Sequence, residues 1–156
     1  IANERALAEP LEAYFVRSEL AVAQEFVPSE FDWRIGVLDG KALYACRYHM
    51  APGHWQVVKS GHQGRRRWGR VDAIPVADAP LKAVKLAERC AELVGDGLYG
   101  VDIKEVKGRF LVIEVNDNPS IEGGEEDRVL KQDLYDQVMG SIYRRLEHKG
   151  RSVPAP

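Results

Sequence analysis

The stretch GVDIKEVKGRFLVIEVNDNPS, residues 100 to 120, constrains this chain more than any other. Val101, Ile103 and Val106, then Phe110, Val112, Ile113 and Val115, are β-branched or aromatic, and Lys107-Gly108-Arg109 between the two runs makes a tight turn. The two arms therefore pair antiparallel. Pairing outward from the turn sets Asp102 across from Glu114 to Asn116. Glu114 and Asn116 are two apart, so their side chains share a face. One face then carries a carboxylate from the first arm, and a carboxylate plus an amide oxygen from the second. Acids this close repel each other and are costly to hold at a partly buried site, a cost that a cation removes. Hard divalent ions such as magnesium take oxygen ligands, commonly one or two carboxylates, with substrate phosphates and waters completing the octahedron. A hairpin whose polar residues merely face solvent is the plainer alternative. The ending Asn116-Asp117-Asn118-Pro119-Ser120, where the strand stops at Pro119, favours the metal site.

The rest of the sequence sets the frame for this hairpin. A chain of 156 residues with 45% hydrophobic content suits one domain with a core. A net charge of -2 gives no general case for nucleic-acid or membrane binding. Cys46 and Cys90 fall in different predicted elements without metal-type spacing, and read as reduced core thiols of a cytoplasmic protein. No apolar run approaches the roughly 20 residues of a membrane span, and no signal peptide opens the chain. The start at Ile1 suggests a fragment or processed piece.

Asn3 to Arg17 has helical spacing, with Leu7, Leu11, Tyr14 and Phe15 on one side and Pro10 as either a kink or the start of a second helix. Leu20 to Val27 reads as a strand ending at Pro28. Phe31 to Leu38 is a strand running into the hairpin turn Asp39-Gly40, with Ala42 to His49 as its partner. His54 to Lys59 is a short extended piece, and Gly61 to Gly69 an exposed, mobile loop. Val71 to Val76 is an edge strand because of Pro75. Asp78 caps a helix from about Pro80 to Val94, whose stripe is Leu81, Val84, Ala87, Cys90, Ala91 and Val94. A last helix spans about Glu126 to Glu147, with Val129, Leu130, Leu134, Val138, Ile142, Tyr143 and Leu146 on one side. Helices flanking hairpin-connected strands argue for an α+β fold, an antiparallel sheet flanked by helices.

Three pieces in order, AQEFV, FDWRIGVLDGKALYACRYHMAPGHWQ and GVDIKEVKGRFLVIEVNDNPSIEGG, resemble the C-terminal part of an ATP-grasp ligase, in particular the RimK-like carboxylate-amine ligases. The likeness covers roughly residues 20 to 125, and the D-(x11)-E-x-N spacing inside a hairpin is its strongest part. The resemblance implies that residues 1–150 are the C-terminal part of an ATP-grasp domain cut from a longer chain, and the tail at 151–156 reads as disordered from its position at the chain end. It makes Asp102, Glu114 and Asn116 the magnesium ligands, with Glu114 bridging two ions and manganese able to substitute. It also implies that Gln24, Glu25, Phe26 and Val27 line the adenine site, that Asp32 hydrogen-bonds the ribose, and that Arg34 faces phosphate or the activated carboxylate. ATP, a carboxylate and an amine (amino acid, peptide or protein) are then the partners. The sequence departs from the family at His54-Trp55-Gln56, where those ligases carry Arg-x-Asn, and at Asn116 to Ser120, where they carry Asn-Ala-Ser-Pro-Gly. A regulatory module that binds nucleotide without catalysis, and a plain interaction domain, are the competing classes.

Several polar residues have ordinary explanations. Arg65, Arg66, Arg67 and Arg70 with Trp68 read as a solvated surface or a phosphate-facing lid rather than a nucleic-acid patch. His49, His54 and His62 are not spaced as a zinc site. Trp33 points away from Asp32 and Arg34 and belongs to the core. Glu122, Glu125, Glu126 and Asp127 are accounted for by the dipole at a helix start.

Overall fold

The computed structural model describes residues 4–51, 58–60 and 66–151. Its elements in order are α1 (Glu4–Phe15), β1 (Phe31–Leu38), β2 (Lys41–His49), β3 (Val58–Ser60), β4 (Arg66–Trp68), β5 (Val71–Ile74), α2 (Leu81–Val94), β6 (Leu98–Val106), β7 (Arg109–Asn116) and α3 (Gln132–Arg151). Five strands form one antiparallel sheet in the order β5-β2-β1-β6-β7, and β3 pairs with β4 separately. The expected α+β fold, an antiparallel sheet with helices against it, is what the chain adopts.

Two hairpins carry the sheet. Asp39 and Gly40 in one turn, and Lys107 and Gly108 in the other, all have positive φ. That is the backbone of a two-residue turn whose twist matches the flanking strands. The first hairpin contributes β1 to the middle of the sheet, where it lies against β6 of the second. Trp33, Ile35, Val37, Val101 and Ile103 line one face and are buried under Ala83, Val84, Ala87 and Ala91 of α2. The alanines let the helix lie close, and its bulkier Leu81 and Val94 at the two ends stay exposed instead of joining the expected stripe. On the opposite face Tyr44, Cys46 and Val71 pack with Leu134 of α3. Cys46 is buried there and Cys90 half-buried, both unpaired. Burial pushes the Cys46 thiol up to about 12.

Several expectations are corrected. Leu20 to Val27 forms no strand: it joins no ladder of the sheet, the β7 edge that Gln24 touches is interrupted by a bulge, and Leu20 and Val22 are 80% and 87% exposed. Helix α1 runs through Pro10. Arg66–Trp68, placed in a loop by its arginines, is a strand, because Val58–Ser60 gives its backbone a partner. Residues 52–57 and 61–65, including His54-Trp55-Gln56 and His62, lie outside the described residues. Asp78 does not cap α2. It sits in a short 3-10 turn, the extended Ala79 intervenes, and Pro80 takes the N-cap position. Helix α3 starts at Gln132 rather than near Glu126, since a 3-10 turn at Glu126–Arg128 and the left-handed Lys131 (φ 53°) precede it. It also extends to Arg151, and the tail beyond it lies outside the described residues. The inner face of α3 is Leu134, Val138 and Ser141, whereas Ile142, Tyr143 and Leu146 are exposed.

Candidate nucleotide and metal site

The face opposite α2 carries the polar residues of β1, β6 and β7 in register. Arg34 pairs with Asp102, and Asp102 with Glu114, so the three side chains form one row across adjacent strands. Two residue pairs further on, on the same face, Gly36 lies beside Gly100 and Gly100 beside Asn116. A bulge between Asp102 and Ile103 opposite Val112 to Glu114 shifts the register. Because of it Glu114 faces Asp102, although a strict count from the turn would place another residue there.

Arg34 grips Asp102 with two parallel bonds, Nε to Oδ1 and Nη2 to Oδ2, both 2.7 Å. Its guanidinium also lies 4.6 Å from the centre of the Tyr48 ring. The hydrogen bond to Asp102 is the main reason that the Arg34 pKa rises further. Asp102 itself moves upward, chiefly through burial and partly through the neighbouring Glu114 carboxylate, while Arg34 pulls the other way. The two directions are compatible. The forked pair favours the charges on both partners, but Asp102 also bears burial and a second acid.

Asn116 sits between the two acids, its Nδ2 2.9 Å from Glu114 Oε1 and 3.5 Å from Asp102 Oδ2. Turned about its terminal bond, the same amide would offer an oxygen to the same space. Two carboxylates and one amide oxygen suit a hard divalent ion that takes its remaining ligands from phosphate and water. Among the described residues no group of three or more His, Cys, Asp and Glu side chains is placed to hold a metal ion, so the donor set here is two acids and an amide.

Two glycines shape the floor of this site. A Cβ on Gly36 would lie 2.0 Å from the Tyr44 ring, and one on Gly100 2.8 Å from Pro119. The ring and the proline therefore lie directly on the backbone, and the chain after Asn116 folds back over β6. The Tyr44 hydroxyl is buried without a hydrogen-bond partner among the described residues. Burial raises its pKa, and the Arg34 charge beside it opposes that rise.

Asp32, two residues before Arg34, is half-buried. Its Oδ1 accepts from Ser29 Oγ at 2.8 Å and from Lys104 Nζ at 2.6 Å. Lys104 also reaches Ser29 Oγ at 2.7 Å. Sequence reasoning missed Lys104. The signal was its position two residues beyond Asp102, which puts it on the same face. Gln24 touches the bulged strand, with Nε2 3.4 Å from the Ile113 carbonyl. Glu25 and Phe26 are exposed and Val27 half-buried. The structure thus brings Arg34, Asp102, Glu114 and Asn116 together, with Asp32 one step along the sheet and residues 24–27 on a non-strand segment whose Gln24 meets β7 at Ile113.

The remaining candidates lie elsewhere. His49 Nε2 donates to Asp72 Oδ2 at 2.8 Å, and Arg70 Nη2 donates to the same oxygen at 2.9 Å. Trp33 is 5% exposed on the opposite face, its Nε1 donating to Glu105. Glu126 is buried and accepts from the Tyr48 hydroxyl and, at 2.7 Å, from the Glu122 backbone N–H. The helix-dipole explanation for it fails, since the long helix begins six residues later.

No protein-family model and no curated protein matches this sequence. Solved structures do, and they define the fold as that of the ATP-grasp ligases. A D-alanine–D-alanine ligase from Bacillus anthracis, complexed with ATP, is 16% identical over 95% of this chain with a TM-score of 0.67. A second structure of that ligase gives 17% identity, 94% coverage and a TM-score of 0.66. The ATP-grasp ligase PsnB, complexed with precursor peptide PsnA2 and AMPPNP, is 23% identical over 75% of this chain with a TM-score of 0.50. This chain spans 51% of the D-alanine–D-alanine ligase and 33% of PsnB. At such identities the likeness is one of fold. No helix among the described residues is long and apolar enough to cross a membrane.

Proposed function

We propose that this chain is the C-terminal part of the ATP-grasp domain of a longer, cytoplasmic, RimK-like ligase that joins a carboxylate to an amine at the expense of ATP. The observation that carries the reading is the row Arg34, Asp102 and Glu114, closed by Asn116, on the face opposite α2 of an ATP-grasp sheet. The order of groups along that face supports it. Residues 24–27 run on to Ser29, which donates to Asp32, Asp32 precedes Arg34 by about 7 Å of strand, and the acids lie across from Arg34. Adenine, ribose and phosphates follow one another in ATP in the same order.

In this reading Gln24 to Val27 meet adenine, Asp32 accepts from the ribose hydroxyls, and Asp102, Glu114 and Asn116 would hold one or two magnesium ions. Bound magnesium supplies charge neutralisation at the β- and γ-phosphates. Arg34 contributes a fixed positive charge beside them, worth most where negative charge builds up during transfer. A carboxylate oxygen of the first substrate attacks the γ-phosphorus, and ADP leaves. The amine of the second substrate then attacks the resulting acylphosphate carbon, phosphate leaves, and the amine gives up a proton.

The test is ADP release by the full-length protein with magnesium, ATP and paired candidate amino acids or peptides. Turnover that needs both a carboxylate and an amine supports the ligase. Glu114→Gln should abolish that turnover with the melting temperature unchanged, and normal turnover in this variant would remove the metal assignment. Nucleotide binding without turnover for any pair would identify a regulatory module instead.

A further inference from the structure

The ion pair between Lys104 and Asp32 has no part in the assignments above, and its geometry is specific. Lys104 is 13% exposed and Asp32 19%. Both contacts to the carboxylate, from Lys104 Nζ at 2.6 Å and Ser29 Oγ at 2.8 Å, converge on Oδ1. Lys104 closes the triangle at 2.7 Å to Ser29 Oγ. Oδ2 makes no hydrogen bond among the described residues. A carboxylate with one oxygen held by two donors has its rotamer fixed and its second oxygen presented in one direction.

We infer that Lys104, with Ser29, is a positioning residue that presets Asp32 to accept from the sugar hydroxyls of the nucleotide, and so sets preference for a ribonucleoside triphosphate. The inference rests on the nucleotide reading above. Lys104 is well placed for this work. It projects from β6 on the face of Asp102, two residues away, and so links the sugar position to the strand that carries a proposed metal ligand. Its contact with Ser29 also ties down the end of the segment that begins at Gln24. Without Lys104 the half-buried Asp32 would keep one hydrogen bond from Ser29 and lose the cation that offsets its burial.

The experiment is calorimetric binding of ATP and of 2′,3′-dideoxy-ATP, with magnesium, to the full-length protein and its variants. The wild type should prefer ATP. Lys104→Met should weaken ATP about tenfold, the scale of one charge-assisted hydrogen bond, while leaving the dideoxy analogue within about twofold. Ser29→Ala, which keeps the ion pair and with it the fold, should shift the ATP preference in the same sense by less. Asp32→Asn should abolish the preference, and adding Lys104→Met to it should change nothing further. Equal losses for both nucleotides in Lys104→Met, or no loss for either, would overturn the inference while the nucleotide reading stands. Failure of the wild type to bind either nucleotide would overturn both.

Discussion

At the scale of single residues, the roles of acids on this fold depend on which oxygen each one leaves open. Arg34 meets both oxygens of Asp102 along one edge and leaves each a second lone pair, Asp32 is held on one oxygen, and Glu126 is held on both by Tyr48 and the Glu122 backbone. Glu126 is the clearest structural case, at 2% exposure. Glu126→Ala would strand the Tyr48 hydroxyl and the Glu122 amide, and should cost about 2 to 3 kcal/mol in denaturant unfolding. Glu126→Gln, which keeps an acceptor, should cost visibly less. Equal losses would mean that packing, not hydrogen bonding, fixes the loop. From sequence, Glu126 was one of four acids in a polar run, and nothing local distinguished it from Glu125. Its importance comes from Tyr48, which is 78 positions away in the chain. The hairpin acids were legible because both arms are contiguous and Glu114 and Asn116 share a face, whereas the bulge that sets Glu114 opposite Asp102 was not legible. Arg34 was legible as a basic residue by resemblance alone, because its fork with Asp102 crosses between strands that sequence could not order.

At the scale of elements, the pleat was read well and the partners less so. Phe31 to Leu38, Ala42 to His49 and the two arms of the final hairpin alternate or turn where β-branched runs and Asp39-Gly40 say they should. Leu20 to Val27 joins no ladder although β7 leaves an outer edge beside Gln24, so apolar pattern alone did not make a strand. The glycines in β1 and β6 were unreadable as devices, since their purpose lies in what rests on them. Gly36→Ala places a Cβ 2.0 Å from the Tyr44 ring, which cannot move freely because it is 3% exposed. The overpacking should cost about 1 to 3 kcal/mol and lower the melting temperature by a few degrees or more. Gly108→Ala offers the contrast. Nothing lies within 4 Å of its Cβ position, but φ is +74°, so its loss of about 1 kcal/mol should come from backbone strain alone. A double variant with Tyr44→Leu should recover stability for position 36 and not for position 108. Recovery at neither would place the cost of Gly36→Ala in the backbone.

At the scale of the molecule, α3 is held to the sheet at two places. Leu134 fills the core at its start. Further along, Ser141 Oγ donates to Asp39 Oδ2 at 2.6 Å, Arg145 pairs with Asp39 Oδ1 and reaches the Asp96 carbonyl at 3.1 Å, and Arg144 lies 3.6 Å from Asp39. Asp39 occupies the β1–β2 turn, so one side chain joins the longest helix to the central hairpin. Burial alone would raise its pKa, but Ser141 and the two arginines outweigh that, and the net shift is downward. A carboxylate with a lowered folded pKa stabilises the fold at pH values above its unfolded pKa, about 3.9, and loses that contribution as pH falls through the folded value. The partners are more than a third exposed, so solvent screening limits the gain to about 1 kcal/mol or less. Asp39→Asn isolates the charge. Asparagine also tolerates the left-handed backbone that the turn needs, here φ 49°. The variant should be less stable than the wild type by a constant amount from pH 7 down to about pH 5. The two stabilities should then converge as pH drops below about 4. Urea midpoints at half-unit pH steps measure this directly. A difference that stays the same at pH 3 would assign the loss to the turn, and would leave α3 held by Leu134 and the Ser141 hydroxyl without help from charge.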